Sequence, residues 1–315
     1  MLDTQTLDSL SLVAVYSAMG VYAIAFIVYT IDLARRVAPA PVREAALVGG
    51  GSTALADPEV QVPASGTGTR LTRVAVGLTV LGWLLHLAGT VLRGFAAERV
   101  PWANMYEFTL TSSAIIIGVF LVVQFWQDLR FLGVFVVGLV VVALGVATIN
   151  FYVDVVPLAP PLQSIWLVIH VFVASLGTGF FALGAALSLV QLLKGRHEAS
   201  SLQSWRFLAS VPSAERLETI AYRLIVIGFV FWTFTLIAGA IWAERAWGRY
   251  WGWDTKEVWT FIIWTLYAGY IHARATRGWR GARSAWLSIV GFLAVVFNFT
   301  VVNLFFKGWH AYSGL

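Results

Sequence analysis

The stretch WGRYWGWD, residues 247–254, places three tryptophans, one tyrosine and two glycines in eight positions and ends on an acid. Indole rings are broad, flat and apolar, so such a run suits a partner with a flat apolar face. Five histidines supply further reactive groups. Four of them, His86, His170, His272 and His310, lie in or beside apolar stretches, whereas His197 sits with Lys194 and Arg196 on a basic, solvated segment. Neutral imidazole ligates iron, copper, zinc and nickel. The chain has no cysteine, which excludes a thiolate nucleophile, a cysteine metal site and an internal disulfide. Thiol chemistry here has to come from a substrate or a partner.

The elements that position these groups are membrane helices. Of 315 residues, 59% are hydrophobic and 12% charged, against about 25% charged in an average soluble domain. A helix needs roughly 20 apolar residues to cross a bilayer. Eight such stretches occur, at about 11–33, 74–95, 107–126, 131–149, 164–193, 219–243, 257–276 and 284–306. Backbone groups in lipid must be paired within the segment, and the short alternating segments of a barrel are absent, so the expected class is all-α, polytopic and membrane-integral. The first stretch follows Asp3 and Asp8, without the basic start of a cleaved signal peptide, and is read as mature structure.

The formal charge of +5 does not point to nucleic acid, because the basic residues collect in alternate loops. Arg35, Arg36, Arg43, Arg70 and Arg73 surround the first loop; Lys194, Arg196, Arg206 and Arg216 follow the fifth span; Arg274, Arg277, Arg280 and Arg283 follow the seventh. The positive-inside bias then puts both termini and the Trp-rich loop, 243–257, on the external side. Residues 38–69, rich in Pro, Gly, Ser and Ala, read as a flexible cytoplasmic loop. Small residues in the fifth span (Gly177, Gly179, Ala182, Gly184, Ala185 and Ala186) suit close helix packing.

His170 then falls near the outer end of the fifth span and His310 just outside the eighth, while His86 and His272 fall within spans. An intramembrane histidine is either an interhelical hydrogen bond or a functional group. The Trp-rich loop also has two readings, an interfacial aromatic belt or a ligand platform. Asp254 with Glu257 three residues later further matches a capping box opening the seventh helix. Small ions have no need of tryptophans. Haem offers a broad apolar plane, two axial positions for imidazole and propionates that want cations, for which Arg245, Arg249 and Lys256 are at hand.

The spacing favours the platform. Trp247, Gly248, Trp251, Trp253 and Asp254 fill every defined position of WGxxWxWD, followed by TKEVW; PPLQSIWLVIH and VPWANMYEF lie upstream and WHAYS near the carboxyl end. In these motifs, from roughly residue 80 onward, the chain resembles the haem-handling membrane proteins of cytochrome c biogenesis, in the CcsA or ResC branch.

That resemblance implies haem b brought to the external face. There, with a ResB/CcsB-like membrane partner and thioredoxin-like thiol reductants, it is presented for thioether attachment to the CxxCH segment of apocytochrome c. The chain would be the haem-presenting subunit of a holocytochrome c synthase complex. The resemblance further implies an outer axial pair, His170 and His310, flanking a loop in which Trp247, Gly248, Arg249, Trp251, Trp253 and Asp254 contact haem. It implies an inner site including His272, with His86 as the intraspan candidate for its partner. Many relatives carry a histidine before the proline of VPWANMYEF, where this chain has Arg99 and Val100. No residue is expected to act as a general acid or base. The expected location is a bacterial plasma membrane rather than a thylakoid.

Two other classes fit the composition. A bis-histidine haem b electron-transfer subunit would place its ligands in pairs at matched depths within spans. A small-solute transporter would show two repeated halves with broken helices and intramembrane acids, of which the spans have almost none.

Overall fold

In the computed structural model the described residues are 3–37, 70–156, 162–199 and 208–310; the expected loop 38–69 lies outside them. These residues form α1 (Thr4–Val37), α2 (Arg70–Ala97), α3 (Met105–Val123), α4 (Gly133–Asn150), α5 (Ile165–Ala199), α6 (Ala214–Trp247), α7 (Thr255–Arg277), α8 (Ala282–Phe299) and the short α9 (Val301–Phe305), and no strand. Seven membrane-length apolar segments result, α8 and α9 counting as one. α7, with 23 residues, is long enough to span but less apolar, since Lys256, Glu257, His272, Arg274 and Arg277 lie along it. The chain is an all-α polytopic membrane protein.

Helix ends differ from the expected span limits where a local signal overrides hydropathy. Nothing breaks α6 before Gly248, which takes the left-handed conformation at φ 69° and caps the helix. Trp247 is therefore the last helical residue, and the loop is 248–254 rather than 243–257. The eighth span breaks at Thr300, so Asn303 belongs to α9 and not to α8.

Two antiparallel pairs, α1 with α2 and α5 with α6, organise the packing. α4 lies on α1 and α3, α8 lies on α5 and α7, and α3 joins the two halves by packing on α5. Lipid tails give helices no hydrophobic reason to associate, so close contact and polar ties must do the work. The small residues of α5 serve this. A Cβ at Gly184 would stand 2.5 Å from Ile225 Cγ1 of α6, and one at Gly179 would stand 3.4 Å from Val119 of α3. Between α5 and α7, Phe181 and Tyr267 stack with ring centroids 3.6 Å apart and planes 6° from parallel.

Buried acids are more numerous than the sequence suggested. Glu107 is fully buried and Glu218 nearly so. Glu218 accepts from Arg274 Nη1, Gly281 N and Ser284 Oγ, tying α6 to α7 and α8 at the end away from the Trp loop. Glu107 does the same at the Trp-loop end. Its carboxylate accepts from Arg93 Nε at 3.1 Å, Arg99 Nη1 at 2.6 Å and Ala103 N at 3.0 Å. Arg93 also reaches Asp8 and the Val153 carbonyl, both at 2.7 Å, and Tyr152 donates to Asp8 at 2.6 Å. Each acid is matched by arginine, as burial requires. Arg99 thus holds the 99–104 turn.

Candidate functional site

Asp254 is the centre of the Trp-loop end. As N-cap of α7 its Oδ2 accepts from Lys256 N, and Glu257 returns the bond from Asp254 N at 3.0 Å, completing the capping box. Glu257 also accepts from Gly252 N at 2.8 Å and Arg249 Nη1 at 3.1 Å, which closes the seven-residue loop on itself. The same Asp254 carboxylate reaches across to the segment after α9: Oδ1 accepts from Trp309 N at 2.9 Å and Oδ2 lies 2.7 Å from His310 Nδ1. Burial alone would raise the Asp254 carboxyl. The hydrogen bond with His310 and those from the Trp309 and Lys256 amides overcome that and hold it below the ordinary carboxylate value.

Trp242, on the last turns of α6 and almost fully buried, brings His170 and His310 together. The His170 ring stacks on it at 6.0 Å and 18°, and the His310 ring lies 5.5 Å away, tilted by 58°. His170 Nδ1 lies 3.0 Å from the Thr235 carbonyl and is read as the donor. Gly239 leaves the room for this ring, since a Cβ there would stand 2.7 Å from His170 Cε1. Each histidine thus has Nδ1 engaged, and among the described residues neither Nε2 has a hydrogen-bond partner.

Around them the indoles form an open aromatic wall. Trp247 meets Trp242 edge-on at 4.8 Å and Trp309 at 5.7 Å. The Arg249 guanidinium lies over both Trp247 and Trp309, 5.3 and 5.2 Å from the ring centroids, and its Nη2 is buried without a hydrogen-bond partner among the described residues. Trp253, 76% exposed, sits at φ 59°, a conformation disfavoured for a side chain of this size, and meets Trp251 edge-on. Arg245 is exposed beside Glu244, and Lys256 is half-buried and bonded to Asn303. The cavity between Asp254, Lys256, Asn303 and His310 encloses about 10 Å³, enough for one water-sized occupant.

The family model of cytochrome c assembly proteins matches residues 102–310. The chain belongs to that family and is of the CcsA type. It is 33% identical to the cytochrome c biogenesis protein CcsA of Synechococcus sp. (strain CC9902), over 75% of this chain and 85% of that one. With CcsA of Heterosigma akashiwo (strain NIES-293 / 8280G21-1) the identity is 33%, over 68% and 77%. Among solved structures it is similar to the cytochrome c haem lyase CcmF, with a TM-score of 0.65 and 16% identity. That similarity covers 95% of this chain and 47% of CcmF, about half its length, and shows a shared fold.

The region matched to the cytochrome c assembly family contains His170, the Trp loop, His272 and His310, but not His86. The structure does not bring His86 and His272 together. His86 is fully buried, with Nε2 2.9 Å from the Leu110 carbonyl of α3 and Nδ1 3.4 Å from Tyr22 Oη of α1. His272 lies exposed on α7, which packs on α6 and α8, while α2 packs on α1 and α3. The Asp254–His310 contact and the Arg93–Glu107 network were not anticipated from the sequence. For the second a signal existed, an arginine and a glutamate at the ends of neighbouring apolar spans.

Proposed function

We propose that the chain holds haem b on the Trp-loop end, with His170 and His310 as axial ligands, and presents it for attachment to apocytochrome c. The observation that carries this is the convergence of the two imidazoles on Trp242, each with Nδ1 held and Nε2 without a partner. Among the described residues no three His, Asp or Glu side chains converge on a point, which disfavours a caged metal ion and suits a planar group needing only axial donors. The buried, unpartnered Nη2 of Arg249 fits a propionate, and Lys256 lies beside the same pair of histidines.

Haem supplies the vinyl carbons to which the two cysteine thiols of a CxxCH segment add, forming the thioethers. The side chains of this chain bind, orient and exclude water. The indoles of Trp247, Trp253 and Trp309 would offer haem apolar surfaces, Arg249 a cation, and the two imidazoles its iron donors. No side chain moves a proton in this scheme. Basic loops on the opposite side support an external location, and a ResB-like membrane partner would complete the complex. His86, with both ring nitrogens engaged, serves as an interhelical tie. His272, exposed on α7, is left to meet a ligand from outside this bundle.

The test is an absorption spectrum with and without imidazole. His170→Ala and His310→Ala should each convert low-spin haem to a mixed or high-spin form and abolish cytochrome c maturation. Millimolar imidazole should restore part of both. A protein purified without a Soret band, or one whose spectrum ignores both substitutions, rules the proposal out.

A further inference from the structure

We propose that Asp254 is a positioning residue that makes His310 the stronger imidazole donor of the outer pair and leaves His170 the weaker. This rests on the haem site proposed above and concerns how that site is tuned. The two rings have unlike partners. His310 Nδ1 lies 2.7 Å from a carboxylate oxygen, whereas His170 Nδ1 lies 3.0 Å from the neutral Thr235 carbonyl. A hydrogen bond to an ionised acceptor is roughly twice as strong as one between neutral groups. Donation to a carboxylate also gives the imidazole anionic character, fixes the proton on Nδ1 and strengthens Nε2 as a ligand.

Three further observations tie Asp254 to this task. Its other oxygen accepts from Trp309 N at 2.9 Å, so one side chain fixes both the backbone and the ring of the His310 segment. Gly308 permits the approach, since a Cβ there would overlap the Asp254 carboxylate. The capping box holds the carboxylate itself, so its orientation is set by α7 rather than by the loop it grips. Outer-shell partners of this kind are worth about 10–100-fold in ligand or metal affinity when removed.

The experiment uses free imidazole as a probe of each axial position, in the full-length protein purified with haem. In His310→Ala, imidazole entering the vacancy donates to Asp254, and adding Asp254→Asn should weaken its apparent Kd at least tenfold. In His170→Ala the incoming imidazole faces Thr235 instead, and Asp254→Asn should leave its Kd within about twofold. Asparagine is itself a good N-cap, so α7 should keep its start. Gly308→Ala, which alters no capping residue but forces the His310 segment and the Asp254 carboxylate apart, should lower haem occupancy as Asp254→Asn does.

A second measurement does not depend on haem. In the haem-free protein, ¹⁵N–¹H spectra should show His310 protonated on Nδ1 and a change of its ring signals in Asp254→Asn, with His170 unaltered. Equal weakening of imidazole at both positions, or no weakening at either, overturns the proposed inequality. If imidazole changes the spectrum of neither single variant, the haem site itself is wrong. Unaltered His310 ring signals in Asp254→Asn then dispose of the contact as well.

Discussion

Gly239 faces the His170 ring so closely that a β-carbon would stand 2.7 Å from Cε1 and 2.8 Å from Nδ1. One methyl group on α6 would therefore push aside a side chain of α5. Gly239→Ala should cost about 1–3 kcal/mol as overpacking and tilt the ring away from Trp242 and the Thr235 carbonyl. Its haem spectrum should resemble that of His170→Ala, and added imidazole should partly restore it. Thermal unfolding with unchanged haem absorbance would show that the ring has another place to go.

His86→Ala should leave haem content and spectrum unchanged. It removes the ring that ties Leu110 of α3 to Tyr22 of α1, taking from the buried Tyr22 hydroxyl its His86 contact at roughly 1–3 kcal/mol. His272→Ala should do the opposite, with little effect on stability and a lower haem content in membranes that hold the whole complex. Pyridine haemochrome assays and detergent-melting curves on both variants separate the two expectations. Loss of haem in His86→Ala with an unchanged melting curve would return that residue to the ligand set.

Glu107→Gln should be among the more damaging substitutions outside the Trp loop. The carboxylate is fully buried and faces two arginines, Arg93 and Arg99. Removing one member of a buried ion pair costs about 3–5 kcal/mol because the remaining charge stays uncompensated. The readout is accumulation of folded protein in the membrane. Arg99→Lys, which keeps a cationic donor near Glu107, should be milder.

Trp253→Ala should lower haem retention without exposing an axial position, so imidazole should not restore it. The ring is 76% exposed and held at a positive φ, so the protein should be no less stable without it. Rescue by imidazole equal to that of His310→Ala would make the indole part of the ligand cage rather than a face for the porphyrin.

Sidedness follows from the basic loops. A reporter active only outside the cytoplasm should work when fused at residue 315 and fail when fused near residue 55. The reverse pattern would move the Trp loop to the cytoplasmic side.

The spans were legible because about 20 apolar residues in a row leave lipid-crossing helix as the one economical outcome. Their ends were not, since hydropathy is blind to a glycine that stops α6 only at 248 or a break in the last span at Thr300. The Trp-rich stretch and the histidines could be named from residue type alone, and the Asp254–Glu257 capping box from its four-residue pattern. What joins them was not. The pairing of His310 with Asp254 links segments separated by three helices, α7 to α9, and no local pattern encodes which carboxylate a distant imidazole will meet. The Arg93–Glu107 tie was hidden for another reason. At span ends, charge usually means contact with water, and burial is decided by neighbouring helices.

The Asp254–His310 contact also sets an order of assembly. It joins the loop before α7 to the segment after α9, so it cannot form until both of the last hydrophobic segments have left the ribosome and settled in the bilayer. A nascent chain halted after α7 would display its tryptophans but lack one imidazole. The site is complete only once the segment after α9 has joined the loop before α7.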